Sequence, residues 1–435
     1  MARSVDLQAL AAALGGPLPE GPTPAAQVID ELVAGVDDGL VATAGPRYFG
    51  FVIGGSVDAA AAADVLTAGW DQCAFNATLS PAAAAAELAA SGWLKELLGV
   101  PSTASVGFVT GGQEANTVGL ASGRHHVLQQ AGWDVERDGL AGAPRVRIVA
   151  GSERHATIDR ALRLLGFGTA AVEEAAAGPN GAIDTDDLRR VLAAGPAGPT
   201  IVCLQAGNVN TGAIDDLLVG GELAREHSAW VHVDGAFGLW ASASPAHRHL
   251  TAGAELADSW AVDGHKWLNV PYDSGFALCA HPEVQAAAVS YTAAYLTGQG
   301  EGPPMTADLT LESSRRARGF ATWAALRQLG RSGVADLVDR CCAHARRFAD
   351  GLAAGGAGIT IANEVVLNQV LVGFGDDART DRIVDAIQRD GTCWMGATTW
   401  RGRRLMRIAV SNWSTTEADV DRSIEAIIRI ASKER

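Results

Sequence analysis

From about residue 104 the chain alternates between two kinds of run. Short stretches rich in Val, Ile, Phe and Ala, at 105–110, 146–150, 200–205, 230–233, 259–262 and 275–279, read as strands. Between several of them lie segments with apolar residues at helical spacing, such as Leu188-Arg-Arg-Val191-Leu192. Strands alternating with helices predict an α/β fold, a mostly parallel sheet covered by helices. Upstream, the Ala-rich patches 59–63 and 82–86 precede Leu88, Trp93 and Leu97 at helical spacing, so helices are expected there too. Up to Pro46 the chain is Ala/Leu helix broken by Gly15-Gly16-Pro17 and Gly21-Pro22. Such a segment cannot bury its faces alone and is expected to pack on something larger. Residues 297–304, rich in Gly and Pro, read as a mobile loop.

Beyond about Gly330 the pattern changes. A strand is expected within 363–374, a helix over 381–389 and a strand over 405–410. The last helix opens on a capping box, Thr416-x-x-Asp419, with Val420, Ile424, Ile427 and Ile428 on one face. The organisation expected is a helical N-terminal segment (1–50), a large domain (51–329) and a small α/β domain (330–435).

Composition narrows the function classes. With 48% hydrophobic and 19% charged residues among 435, the chain can build a large core and is not disordered. Its net charge of −15 repels phosphate backbones, so nucleic acid is not an expected partner. Six cysteines show no C-x-x-C spacing and sit mostly in apolar runs, as free thiols of a cytosolic protein do. No apolar run reaches the ~18 residues of a membrane helix. The apolar stretch 7–14 has no clear cleavage site and reads as an ordinary helix. A cytoplasmic protein without membrane partners is expected.

Candidate chemistry follows the strands. After them come Gly111-Gly112-Gln113-Glu114, Glu153-Arg154-His155, Gly207-Asn208-Val209-Asn210, Asp234, and Asp263-Gly264-His265-Lys266. In open parallel sheets ligands bind beyond the carboxyl ends of the strands. The Gly-Gly turn before a helix suits a phosphate, though it also serves as a plain tight turn. Asp234 needs a cation or donor if buried, or else caps a helix. Lys266 lies between a strand and an apolar turn, where an amine can attack carbonyls; the alternative is a snorkelling surface lysine. His155 suits the cap of the helix after it. Taken together, a reactive lysine, a buried aspartate, a phosphate turn and a flat ring are what pyridoxal phosphate needs.

His232-Val-Asp234-Gly-Ala236, with the Lys of His265-Lys266-Trp267 32 residues after the Asp, resembles the group II pyridoxal phosphate-dependent amino-acid decarboxylases. This family includes the aromatic amino-acid and glutamate decarboxylases. Pro46-Arg-Tyr48-Phe49, Asn76-Ala-Thr-Leu-Ser80-Pro81, Gly111-Gly-Gln-Glu-Ala-Asn and Arg407-x-x-x-Ser411-Asn412 extend the resemblance over nearly the whole chain. It implies fold type I and a homodimer with the active site at its interface. Lys266 would form the Schiff base with pyridoxal 5'-phosphate, and Asp234 would pair with the pyridine nitrogen. His155 would stack on one face of the ring and Ala236 touch the other. Gly112, Gln113 and His265 would contact the phosphate, with Gly111 and Asn208 as further cofactor contacts. Arg407 matches an arginine that in some members anchors a substrate carboxylate, or else forms an inter-domain ion pair. Phe49, with Tyr48 and Phe51, would line the substrate pocket or belong to the core.

Two departures stand out. Asp263 replaces an Asn of some relatives, and an unpaired carboxylate there would repel phosphate. A loop tyrosine that protonates the product is missing, its place falling near Thr306. The activity expected is decarboxylation of an amino acid. The alternatives are an oxygen-using aldehyde synthase, another reaction of the same cofactor, and a catalytically silent binding protein on the same fold.

Overall fold

Seven strands form the central sheet of the computed structural model, which describes residues 6–291 and 306–434. They are β1 (Ser105–Val109), β2 (Arg147–Gly151), β3 (Val172–Ala175), β4 (Thr200–Gln205), β5 (Trp230–Asp234), β6 (Ser259–Asp263) and β7 (Gly275–Cys279). Their order is β1-β7-β6-β5-β4-β2-β3. The run from β3 to β6 is parallel, while β7 is antiparallel to both its neighbours. Six of the seven are buried almost throughout, as strands covered on both faces must be, and these six are the continuous apolar runs of the sequence. The seventh, β3, is a half-exposed edge carrying Glu173 and Glu174.

The Ala-rich patches are helical. After α1 (Leu7–Leu14) and α2 (Ala25–Val36) come α3 (Asp58–Trp70), α4 (Pro81–Leu98) and α5 (Gly112–Gln130). Helix α4 shows why: Ser80 Oγ accepts from Ala83 N, Pro81 opens the first turn, and Gly99 closes the last with φ 70°. Helices α1 and α2 bury no residue, in keeping with a segment that needs a larger surface.

A second, antiparallel sheet follows, in the order β10-β11-β9-β8. Its strands are β8 (Thr360–Ile361), β9 (Gln369–Gly373), β10 (Gly396–Trp400) and β11 (Arg403–Ala409). The helices Asp377–Asp390 and Glu417–Lys433 belong to this part, and the capping box is formed, Thr416 and Asp419 each accepting from the other's backbone. Val420, Ile424 and Ile427 are buried, and Ile428 packs against the same core. The long helix Gly319–Ala354 runs through position 330 and changes course there, Gly330 having φ 62° and ψ 179°. Residues 47–49 lace onto the second sheet: Phe49 N donates to Trp394 O (2.7 Å) and Ala409 N to Phe49 O (3.0 Å). The loop 297–304 lies outside the described residues. Among the described residues no helix is long and apolar enough to cross a membrane.

Candidate active site

Because β7 runs backwards between β1 and β6, those two strands point the same way, and β1, β2, β4, β5 and β6 end at one edge of the sheet. Gly275 lies opposite both Val109 and Asp263. A Cβ on it would stand 2.4 Å from the Cα of Gly111, so only glycine lets the Gly111-Gly112 turn lie against the strand. Helix α5 starts from that turn without a cap of its own. Its first amide, Gly112 N, instead donates to Asp263 Oδ1 at 2.5 Å. Gly207 (φ 107°) turns the loop after β4 into the same region.

The five strand ends border a cleft of about 60 Å³. Of the expected residues, Gly112, Gln113, His155, Asp234, Ala236 and Lys266 line it, together with Asn116, Thr157, Val209 and Asp263. Lys266 Nζ pairs with Asp263 Oδ2 at 2.7 Å, and His265 Nε2 approaches Asp263 Oδ1 at 3.3 Å. Asp263 is therefore not the unpaired carboxylate that would repel a phosphate: a helix amide, an ammonium and an imidazole surround it. Lys266 keeps 22% of its side chain exposed, against 2% for Asp263, so the amine remains open to the cleft.

Asp234 receives donors only. Asn116 Nδ2 (3.2 Å) donates to Oδ2 and Ala236 N (3.2 Å) donates to Oδ1, with the Thr157 hydroxyl 3.4 Å from Oδ2. His155 satisfies both readings of its sequence position: Nδ1 accepts from Thr157 N (3.3 Å), capping the helix Ala156–Leu164, while the ring lines the cleft. Burial, more than any neighbour, pushes the His155 imidazole below its ordinary value; Asp234 opposes the shift, and Lys266 and Arg407 add to it. Burial lowers His265 in the same way.

Other expected residues lie at the margins. Gly111 is the hinge of the turn, and His265 stacks on Tyr272 with ring centroids 4.4 Å apart. Asn208 is not among the residues lining the cleft; it donates to Glu153 and accepts from the amides of Asn210 and Thr211. Phe49 packs edge-on against Phe348 in the core at 1% exposure, so its expected place in the pocket is corrected. Arg407 makes no ion pair among the described residues; Nη1 donates to Val209 O at 3.1 Å. Thr398 of β10 likewise holds Asn210, and Asn363, between β8 and β9, holds Thr211, so the second sheet and its connection grip the loop at three points.

Asn116 and Thr157 were missed from sequence. Asn116 lies one helical turn beyond Gly112, on the same face of α5, but its partners come from β5 and the first turn of the helix Ala156–Leu164. The set fits pyridoxal phosphate: an amine and a carboxylate facing one cleft, and a glycine turn at a helix N-terminus for an anion.

Comparison with known proteins agrees. The chain matches the family described as the pyridoxal-dependent decarboxylase conserved domain over residues 10–374. It is 28% identical over 432 residues to tryptophan decarboxylase 1 of Oryza sativa subsp. japonica, covering 91% of this chain and 82% of the relative. It is 24% identical over 437 residues to phenylacetaldehyde synthase of Arabidopsis thaliana, covering 95% and 87%. The crystal structure of Oryza sativa TDC with PLP and tryptamine matches with a TM-score of 0.90 at 25% identity, covering 99% and 92%. Mouse CSAD shares the fold, with a TM-score of 0.88 at 22% identity over 98% and 92%. The chain is an enzyme that belongs to the pyridoxal-dependent decarboxylase family, with pyridoxal 5'-phosphate as its cofactor.

Proposed function

We propose that the protein removes the carboxyl group of an L-amino acid, with the cofactor held on Lys266. The observation that carries this reading is the Lys266 amine and the Asp234 carboxylate facing one cleft beside the Gly112 turn. When bound, the cofactor accepts the electron pair left at Cα after carbon dioxide departs. The residues do the rest. Asp234 holds a proton on the ring nitrogen, and His155 and Ala236 hold the ring between them. Gly111, Gly112, Gln113 and His265 receive the phosphate, with Asn208 supporting the loop below. Arg407, mostly buried and without a carboxylate partner among the described residues, takes the substrate carboxylate in exchange for Val209 O.

A homodimer is part of this reading. Helices α1 and α2 bury nothing, and α2 exposes Val28, Ile29, Leu32 and Val33, an apolar face suited to a second copy of the chain. So are a cytoplasmic location, supported by six free cysteines, and the division at 1–50, 51–329 and 330–435. The kink at Gly330 supports the second boundary.

Borohydride reduction of cofactor-supplemented protein should fix a phosphopyridoxyl group on Lys266, and a panel of amino acids should identify one that releases carbon dioxide. A colourless protein of unchanged mass would refute the reading.

A second reading keeps the cofactor and changes the product. No tyrosine stands near Thr306, where the family resemblance expects one, and relatives at this distance include aldehyde synthases. Returning a proton to Cα then falls to His155 or to a second subunit. Turnover with and without oxygen separates the two: amine in both favours decarboxylation, and aldehyde with peroxide only in air favours the synthase.

A further inference from the structure

A buried line of hydrogen bonds leads from Asp234 into the sheet. Asn116 Nδ2 donates to Asp234 Oδ2, and Asn116 Oδ1 faces His232 Nε2 at 2.8 Å. His232 Nδ1 faces Ser259 Oγ at 2.8 Å, and Trp230 Nε1 donates to the same hydroxyl at 3.0 Å. Asn116, His232 and Ser259 have no exposure to solvent, so each must find its partners inside the protein.

The polarity of the line follows from its ends. A carboxylate only accepts, so Asn116 turns its nitrogen to Asp234 and its oxygen to His232. His232 must then carry its proton on Nε2, leaving Nδ1 to accept from Ser259. Trp230, which only donates, closes the line by donating to Ser259 Oγ. No member can reverse without bringing two acceptors or two donors face to face. Burial pushes His232 down to about 4, so the ring stays neutral and the line carries orientation rather than charge.

The same Asn116 nitrogen donates to Thr157 Oγ1 at 3.0 Å, and that hydroxyl lies 2.9 Å from His155 Nδ1. One amide thus fixes the Asp234 carboxylate directly and the His155 imidazole through Thr157. With one donor on each oxygen and the Thr157 hydroxyl crowding Oδ2, Asp234 keeps a free lone pair on Oδ1.

We propose that Asn116, held in its orientation by His232 and Ser259, is a positioning residue that aims Asp234 Oδ1 at the cofactor's ring nitrogen and sets His155 above the ring. The proposal rests on the assignment of Lys266 and Asp234 made above, so its test reads the two separately.

Protein loaded with cofactor carrying nitrogen-15 in the ring would be compared with the variants Asn116→Leu, His232→Leu and His232→Gln. Borohydride should label Lys266 in all of them. In Asn116→Leu and His232→Leu the ring-nitrogen resonance should move towards its unprotonated position. There kcat should fall roughly 10- to 100-fold, the worth of one hydrogen bond to a charged group, with KM changing less than about threefold. His232→Gln, whose side-chain amide can still donate to Asn116 Oδ1, should restore most of both. An unmoved resonance with kcat within about threefold of wild type, or a His232→Gln as impaired as His232→Leu, would overturn the proposal. Should the leucine variants not fold, Ser259→Ala removes only a hydroxyl. It should move the resonance the same way by a smaller amount, and no movement overturns the proposal. A wild-type protein with no label on Lys266, or no protonated ring nitrogen, would instead sink the functional reading itself.

Discussion

Asp234 and Asp263 end neighbouring strands, yet their surroundings give them different work. Asp263 faces an ammonium, an imidazole and a helix amide, whereas Asp234 meets only neutral donors and so has an unmet charge to offer a ligand. Asp234→Ala should lower kcat/KM by roughly 10²–10⁴, taking the ~3–5 kcal/mol typical of breaking a buried charge pair and placing most of it on the transition state. Steady-state kinetics check this; a variant within threefold of wild type would leave Asp234 as a turn residue. His155 supplies a pH test. Its imidazole is pushed below the ordinary range, so little imidazolium exists at pH 8 and more forms as pH falls. If His155 returns the proton to Cα, kcat for amine formation should rise from pH 8 to about 6.5, and His155→Gln should flatten the profile. The lysine and its spaced aspartate were legible because motif spacing marks them. Asn116 and Thr157 were not, since their use depends on side chains meeting from α5, β5 and the helix Ala156–Leu164. Phe49 stayed between pocket and core because an aromatic run such as 48–51 does not say which face turns inward: Tyr48 stacks on Trp394, and Phe49 enters the core.

The six strands of the central sheet that sequence pattern revealed are buried almost throughout, and the strands it missed are edges. Both β3, with two glutamates, and β10, Gly-Ala-Thr-Thr-Trp, are half-exposed, so neither leaves a continuous apolar run. The reversal of β7 was equally hidden, because a buried run looks the same in either direction. One link between elements lends itself to measurement. Arg315, which precedes the long helix, forms a two-pronged pair with Glu87 of α4, at 2.6 and 2.7 Å, with both side chains almost fully buried. Burial pushes the Glu87 carboxyl up, and Arg315 opposes that shift. Arg315→Ala strands the carboxylate and should destabilise the protein by about 3–5 kcal/mol in urea unfolding. The deficit should shrink as pH falls, because a lone buried carboxyl is relieved by taking up a proton. An unchanged deficit from pH 8 to 5 would mean that lost packing, not charge, is responsible.

For the whole molecule, the unburied pair α1–α2 is the part that asks for a second copy. Ile29→Asp with Val33→Asp puts two charges into that apolar face and should shift the species seen by light scattering from dimer to monomer, with loss of activity. A dimer unchanged by both would place the interface elsewhere. The Lys266–Asp263 pair has a consequence for how the protein is loaded. Before the cofactor arrives, the amine it must reach is already neutralised by an internal counter-ion, inside a chain whose net charge is −15. An incoming phosphate monoester therefore meets repulsion at long range and must compete with Asp263 at short range. Added sodium chloride weakens both obstacles, so cofactor association should accelerate with ionic strength, the reverse of ordinary attraction between opposite charges. Stopped-flow absorbance at low and moderate salt would show it, and Asp263→Asn should start faster and respond less. A rate that falls with salt in the wild type would mean that the pair opens without resistance.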